Sequence, residues 1–274
     1  MTGSRAETTP EGARARDLVL VEWTQPDIAT VVLNRPEKLN ALNKPMWIGL
    51  GEAMRDLSAK EEPRCVVLRG AGDKAFGPGA DIAEFESERG DPEQARQYGA
   101  IMHDTMAAIG DCRHPTIALI KGLCVGGALE LAIMCDLRIC GQSSRFGVPI
   151  NRIGVVMAYP EIAALIELVG RGAALEILLE GRDFDAAEAR DKGLVTRVVP
   201  DDRVGAETYE VARRIADGAP LVNRWHKKFA RRLSDPRPLS RKEFDEAYAA
   251  FGTEDYRAGY QAFLAKKKPV FQGK

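Results

Sequence analysis

The chain has 274 residues, 45% of them hydrophobic and 29% charged, and 39 Lys plus Arg against 40 Asp plus Glu leave a net charge of -1. That length supports one sizeable core with an appended lobe, and the balanced charge excludes a general pull toward nucleic acid or an acidic membrane surface. No apolar run approaches the ~20 residues that a membrane-spanning helix needs.

The first sixteen residues, MTGSRAETTPEGARAR, lack an apolar h-region, so they read as a flexible polar tail and not as a secretory signal. Strand-like runs rich in β-branched residues follow at 18–23 (LVLVEW), 29–33 (ATVVL), 65–70 (CVVLRG), 116–122 (TIALIKG), 136–140 (DLRIC) and 194–199 (LVTRVV). Helical patterns lie between them. One follows Asn43, a predicted N-cap, with Pro45 in its first turn and Met46, Leu50, Met54 and Leu57 along one face. A second covers 92–110 and a third begins at Gly127. Alternating strands and helices predict an α/β fold with a core over 17–200. After Pro200 the strand signals stop, and 203–217, 219–232 and 239–267 read as amphipathic helices of a C-terminal segment over 201–274. The five cysteines, Cys65, Cys112, Cys124, Cys135 and Cys140, form no CxxC pair and lie mostly in apolar runs. Neither a disulfide framework nor a metal site is expected, and a reducing cytoplasm fits them best.

Two glycine sites could carry chemistry. In KGLCVGGALELAIMCDL, Lys121 to Leu137, a buried strand runs into a helix starting at Gly126 and Gly127. The first N–H groups of a helix lack internal partners and carry partial positive charge. The Gly127 amide could therefore face a polarised carbonyl, with Glu130 three residues on along the same face. A donor for an oxyanion beside a carboxylate suits proton transfer next to a carbonyl. The plain alternative is a Glu stabilised by the helix dipole and partly solvated; spacing alone leaves both open, although Leu129, Leu131, Ile133 and Met134 make a lone carboxylate costly there. The second site is KAFGPGADIAEF, Lys74 to Phe85, another loop-to-helix junction, in which Asp81 reads first as a helix cap. Neither matches a Walker A loop or a G-x-G-x-x-G fingerprint, and no G-x-S-x-G elbow occurs. His103, His114 and His226 show no ligand spacing, and Lys266 to Lys268 read as a solvated helix end.

Taken together, VVLNRPEKLNALN (31–43), AFGPGADIAEF (75–85), IKGLCVGGALELAIMCDLRI (120–139), SRFGVPINRIGV (144–155), GRDFDAAEARDKGLVTRVVP (181–200) and AFLAKKKP (262–269) resemble the crotonase superfamily, the enoyl-CoA hydratase/isomerase family. The resemblance covers nearly everything after the tail. It implies a ββα spiral (superhelix) with a C-terminal helical trimerisation segment, a homotrimer or a hexamer of stacked trimers, and an acyl-CoA thioester as substrate. No cofactor is implied beyond coenzyme A as part of that substrate. By position, the amides of Ala80 and Gly127 hold the thioester oxygen. Lys38, Ala41, Gly79, Ala80, Asp81, Ile82, Gly126 and Pro149 line the CoA and substrate groove, and Phe263 and Lys266 meet the adenine from a neighbouring subunit.

The pattern is broken at one catalytic position. Glu130 matches the family glutamate that positions water, but Ile150 in SRFGVPINRIG stands where the second glutamate belongs. An isoleucine cannot titrate. In the next segment, VVMAYPEIAAL, Tyr159 and Glu161 fill space that glycines leave open in the family; Tyr159 could supply a phenolic proton and Glu161 a carboxylate, although both read first as packing changes. Glu84, His103 and Asn151 are further candidates for a second acid. The expected activity is hydration of a 2-enoyl-CoA, with isomerisation or decarboxylation of an acyl-CoA as alternatives. A non-catalytic CoA- or RNA-binding protein is the alternative of another class. RNA binding is disfavoured because the helix at 44–60 carries only Lys44, Arg55 and Lys60, opposed by Glu52 and Asp56.

Overall fold

A computed structural model describes residues 15–274. The polar tail expected over 1–16 falls outside the described residues except for Ala15 and Arg16, which open a single helical turn, α1 (Ala15–Leu18). β1 (Val19–Gln25) and β2 (Ile28–Leu33) then form an antiparallel hairpin. Every residue of β2 is buried, as an inner strand requires. Its one polar residue, Thr30, is satisfied by hydroxyl bonds to Tyr209 at 2.8 Å and Thr24 at 2.7 Å.

Helix α2 (Lys44–Ala59) starts where expected: the Asn43 side chain accepts the Met46 N–H at 3.1 Å, and Pro45 sits in the first turn. Its buried face holds Met46, Leu50, Met54 and Leu57, together with Trp47. From here the chain repeats a unit of two strands and a helical element. β3 (Cys65–Gly70) is followed by β4 (Ala75–Gly77), then by α3 (Phe85–Glu88) and α4 (Pro92–Gly110). β5 (Thr116–Ile120) is followed by β6 (Leu123–Val125) and α5 (Gly127–Ile133). β7 (Leu137–Gly141) is followed by β8 (Arg145–Gly147), a 3-10 turn over Pro149–Ile153 and α6 (Tyr159–Glu180), which is broken at Gly170. β9 (Phe184–Asp185), α7 (Ala186–Asp191) and β10 (Arg197–Val199) close the strand-bearing part.

The first strand of each unit joins a six-stranded sheet ordered β1-β2-β3-β5-β7-β10, and the second joins a four-stranded sheet ordered β4-β6-β8-β9. Within each sheet, all pairs are parallel except β1–β2 and β8–β9. This is the crotonase-type ββα arrangement. The main core lies between the sheets and helices α2 and α4, and includes Trp47, Leu50, Leu68, Phe76, Ile120 and Phe146. A second cluster covers the other face of the six-stranded sheet, where Ile28, Val67, Ile117 and Ile139 meet Val204, Val211, Ala212 and Ala216 of α8 (Val204–Ala216). The first helix after Pro200 thus packs onto the sheet. All five cysteines are free and buried, and among the described residues no helix is long and apolar enough to cross a membrane.

Several predicted bounds need correction. The run 116–122 ends as a strand at Ile120, and 194–199 forms a strand only over Arg197–Val199. The helix expected over 239–267 follows α9 (Pro220–Leu233) as three pieces: α10 (Arg241–Glu246), a 3-10 stretch Ala247–Gly252 and α11 (Glu254–Leu264). The break comes where Thr253, in extended backbone, caps α11 by accepting the Tyr256 N–H at 3.0 Å.

Asn40 ties the loop ahead of α2 to the two sheets. It is 1% exposed with φ 65°. Its amide donates to the carbonyls of Ala71 at 3.0 Å and Ala75 at 2.9 Å, while its oxygen accepts the Arg35 N–H at 3.1 Å. Asn tolerates this left-handed backbone better than residues with larger apolar side chains. Asn40→Ala strands all three partners, so urea unfolding is expected to show a loss of about 3 kcal/mol; a loss below about 1 kcal/mol would refute this role.

Candidate active site

The site starts from two parallel neighbours. β4 pairs with β6, Ala75 opposite Leu123 and Gly77 opposite Cys124, so the loops that leave them emerge side by side. After β4, Leu42 donates to the Gly79 carbonyl at 2.8 Å and accepts from Asp81 at 2.9 Å. The Ala80 N–H between them has no acceptor among the described residues. After β6, the Gly126 N–H bonds to Gly147 and the Gly126 carbonyl accepts from Glu130 at 3.0 Å; the Gly127 N–H is likewise unbonded.

These two amides lie close together, and glycine makes the approach possible. Gly79 has φ +100°, and a Cβ on it would stand 3.1 Å from the Gly127 nitrogen and 3.0 Å from the Val125 oxygen. A Cβ on Gly127 would come 3.7 Å from the Ala80 nitrogen and press on Trp47 at 3.2 Å. Trp47 is wholly buried beneath this junction. The result is a pair of unpartnered main-chain donors on separate loops, an arrangement able to receive one oxygen.

Glu130 lies in the first turn of α5, 6% exposed among buried Leu129, Leu131 and Ile133. Its carboxylate accepts no hydrogen bond from the described residues. Burial, and after it the negative charge of Glu161, push its pKa from 4.5 up to about 7, while the Arg89 charge pulls the other way. Arg89 stacks on Tyr98, 3.8 Å from the ring centre, and on Phe85 at 4.8 Å. It has no signal in the sequence: it follows a short helical turn, and only folding brings it toward Glu130.

Glu161, a packing change or a second carboxylate on the sequence, occupies the first turn of α6 with its side chain only 3% exposed, and its Oε1 lies 2.9 Å from His103 Nε2 on α4. Its Oε2 is buried without a partner; leaving a buried polar atom bare costs about 1–3 kcal/mol, more for a charged group. Tyr159, also read as packing, is 91% exposed and fills no space. Ile150 is half-buried against the main core. Glu84 is committed elsewhere, accepting from the Lys44 N–H at 2.9 Å and the Tyr98 hydroxyl at 3.1 Å. Asn151 is also committed, donating to the Leu179 carbonyl at 2.9 Å near the end of α6.

The loops expected to bind CoA are clamped together by Arg35, which donates to Asp81 at 2.6 Å and to the Ala41 carbonyl at 3.1 Å. Asp81 also caps the 3-10 turn Ile82–Glu84 through the Ala83 N–H. Lys38 and Ile82 are exposed beside this clamp, Ala41 and Gly79 are buried, and Pro149 is half-buried. Phe263 and Lys266 lie exposed at the end of α11 and just beyond it. A separate cavity of about 280 Å³, lined by Glu22, Arg69, Lys121 and Tyr209 among others, holds none of these residues. Among the described residues no three His, Cys, Asp or Glu side chains converge as a metal ion would require.

The protein-family model for enoyl-CoA hydratase/isomerase matches residues 24–274. A Rhizobium meliloti protein named "Probable enoyl-CoA hydratase" is 35% identical over 262 residues, covering 93% of this chain and 98% of its own. The crotonyl-CoA hydratase of Syntrophomonas wolfei is 32% identical over 249 residues, 90% of this chain and 95% of its own. The crystal structure of an enoyl-CoA hydratase/carnithine racemase from Magnetospirillum magneticum superposes with a TM-score of 0.93 at 53% identity, covering 94% of this chain and 96% of that one. With the fold, two unbonded amides and a buried glutamate already in place, these similarities put the chain in the enoyl-CoA hydratase/isomerase family.

Proposed function

We propose that this hydratase/isomerase-family enzyme adds water to the double bond of a 2-enoyl-CoA thioester and catalyses the reverse dehydration. The observation that carries this reading is the pair of unbonded amides, Ala80 and Gly127, set close together with Glu130 nearby. The thioester oxygen accepts from both amides, which stabilises the negative charge that develops there as the α-carbon becomes enolate-like. Glu130 exchanges a proton with the reacting atoms. Its pKa near 7 suits that work, since a group poised near working pH both gives and takes protons readily. The Arg35 clamp holds the Lys38–Ala41 and Gly79–Ile82 loops as the walls along which the CoA moiety runs.

Coenzyme A enters as part of the substrate, and no resident cofactor is needed for this chemistry. The reading includes assembly into trimers, supported by the apolar groups left exposed on the C-terminal helices: Phe244, Tyr248, Phe251, Phe263 and Leu264 are each at least 60% exposed. Contiguous apolar exposure of this kind marks an interaction surface. Phe263 and Lys266 are then the residues that reach a neighbour's CoA. Nucleic acid is not favoured as a partner, because Lys44 is paired with Glu88 and Arg55 with Asp104, each at 2.7 Å. Light scattering is expected to give three or six times the chain mass, and a monomer at micromolar concentration would remove this part of the reading.

Crotonyl-CoA hydration, followed by mass spectrometry as the gain of one water, tests the activity itself. Glu130→Gln is expected to lower kcat by about 100- to 10,000-fold. The same variant has a stability signature. A carboxyl whose folded pKa is raised stabilises the protein fully below its ordinary value of 4.5 and loses that contribution as pH rises through about 7. The stability of Glu130→Gln relative to wild type should therefore grow by about 3 kcal/mol between pH 4.5 and about pH 8. A flat difference across that window would show that Glu130 is not held in its neutral form.

Gly79→Ala tests the amide pair. Its Cβ falls on the Gly127 nitrogen in a backbone conformation that L side chains avoid. Loss of one oxyanion donor costs about 100- to 1,000-fold in kcat, and retention of activity within about threefold of wild type would sink the assignment.

A further inference from the structure

Adding water across a carbon–carbon double bond moves two protons at two atoms: one leaves the attacking water and one arrives on the neighbouring carbon. A single carboxyl holds one proton and serves one of those atoms at a time. Glu130 therefore needs a partner, and Ile150, half-buried against the core, has nothing to offer a proton. Three observations single out Glu161. Its side chain is 3% exposed, yet its Oε2 has no hydrogen-bond partner. Its helix, α6, packs against α5, which carries Glu130, and its charge acts on Glu130. Its Oε1 is anchored at 2.9 Å by His103, whose side chain is 40% exposed and so connects the buried carboxylate to outside water.

We propose that Glu161, anchored by His103, is the second proton-carrying carboxyl of this site and works with Glu130 on the same substrate. This rests on the hydratase reading above. The Glu161 charge, after burial, favours the protonated form of Glu130. The groups facing them are Arg89 toward Glu130 and His103 toward Glu161.

The cycle then balances. The ionised member takes a proton from water as the water oxygen bonds the β-carbon. The π-electron pair of the double bond passes through the α-carbon onto the thioester oxygen, held by Ala80 and Gly127. That pair returns as the α-carbon takes the proton of the other member. One proton has entered the carboxyl pair and one has left it; H and OH have been added to the substrate. The remaining proton now sits on the opposite carboxyl, and resetting the pair requires proton exchange. His103, in contact with Glu161 and open to solvent, is the route, which makes it a positioning and relay residue.

The test compares wild type, Glu130→Gln, Glu161→Gln, His103→Gln and His103→Ala on crotonyl-CoA from about pH 5 to 9. Glu161→Gln is expected to lower kcat by at least about 100-fold with KM changed less than about threefold. The ionisation seen near neutrality in the wild-type pH profile should move to lower pH in the residual activity, because the charge that repels ionisation of Glu130 is gone. His103→Gln keeps an N–H for Glu161 but carries no proton, and a smaller kcat loss of about tenfold is expected. His103→Ala should recover activity with added imidazole.

A Glu161→Gln enzyme within about threefold of wild type, while Glu130→Gln is impaired, overturns the proposal and leaves the hydratase reading intact. A wild type that hydrates no thioester removes both. Thermal unfolding shows whether Glu161→Gln retains its fold. If it does not, the histidine variants decide: unchanged kcat, unchanged pH profile and no imidazole effect overturn the proposal.

Discussion

The site depends on how closely two stretches of backbone approach each other, Gly79 from the loop after β4 and Gly127 at the start of α5. That approach follows from strand pairing. Parallel neighbours in a sheet end on the same side, and ligands in such sheets are received beyond those ends. Because β4 and β6 are parallel partners, their exits meet, and the amides that follow find no acceptor in either strand. A side chain on Gly79 would crowd the Gly127 nitrogen and the Val125 oxygen, closing the gap between the two loops. The six-stranded sheet fixes where each exit falls, since β3, β5 and β7 lead directly into β4, β6 and β8 of the second sheet. Trp47, buried under Gly127, supports the junction from below and links it to the face of α2.

The same junction carries an energetic cost that a purely structural core avoids. Glu130 and Glu161 are both buried, and neither is neutralised by a lysine or arginine in direct contact. Arg89 acts on Glu130 through its charge, while its guanidinium is occupied by Tyr98, Phe85 and the Met102 sulfur. Glu130 has a raised pKa and Glu161 an oxygen without a hydrogen-bond partner among the described residues, which are properties a catalytic site uses. Other polar groups nearby are fully employed: Glu84 holds the start of α2 and Tyr98, Asn151 holds the end of α6, and Asn40 bonds on both of its polar atoms. The contrast between spent and unspent groups separates scaffold from site.

Much of the scaffold was legible before any coordinates. The α2 face, its Asn43 cap and the long strands all follow from local periodicity and capping chemistry, which depend on residues within a turn or two of each other. The two glycine loops were legible as sites of close approach for the same reason. The short strands of the second sheet were not: AFG, LCV and RFG span three residues each, too few to show a period of two. They form because the preceding long strands deliver them beside one another. The helix α6 was also missed, since its first turn carries no side-chain cap and replaces a stretch that reads as irregular.

From the sequence alone came the α/β class, the helical C-terminal segment, the glycine-bound amides at Ala80 and Gly127, and Glu130 as the carboxylate beside them. The sequence also showed that Ile150 leaves one catalytic position without a titratable group. It could not rank the remaining candidates, because their surroundings are set by α4, α5 and α6, which lie far apart in the chain. Only the packing of those helices sets the half-exposed His103 against the buried Glu161 and brings α6 onto the helix that carries Glu130. Burial and long-range contact, which local pattern does not encode, are what leave Glu130 with a raised pKa and the Glu161 carboxylate bonded to His103 alone among the described residues.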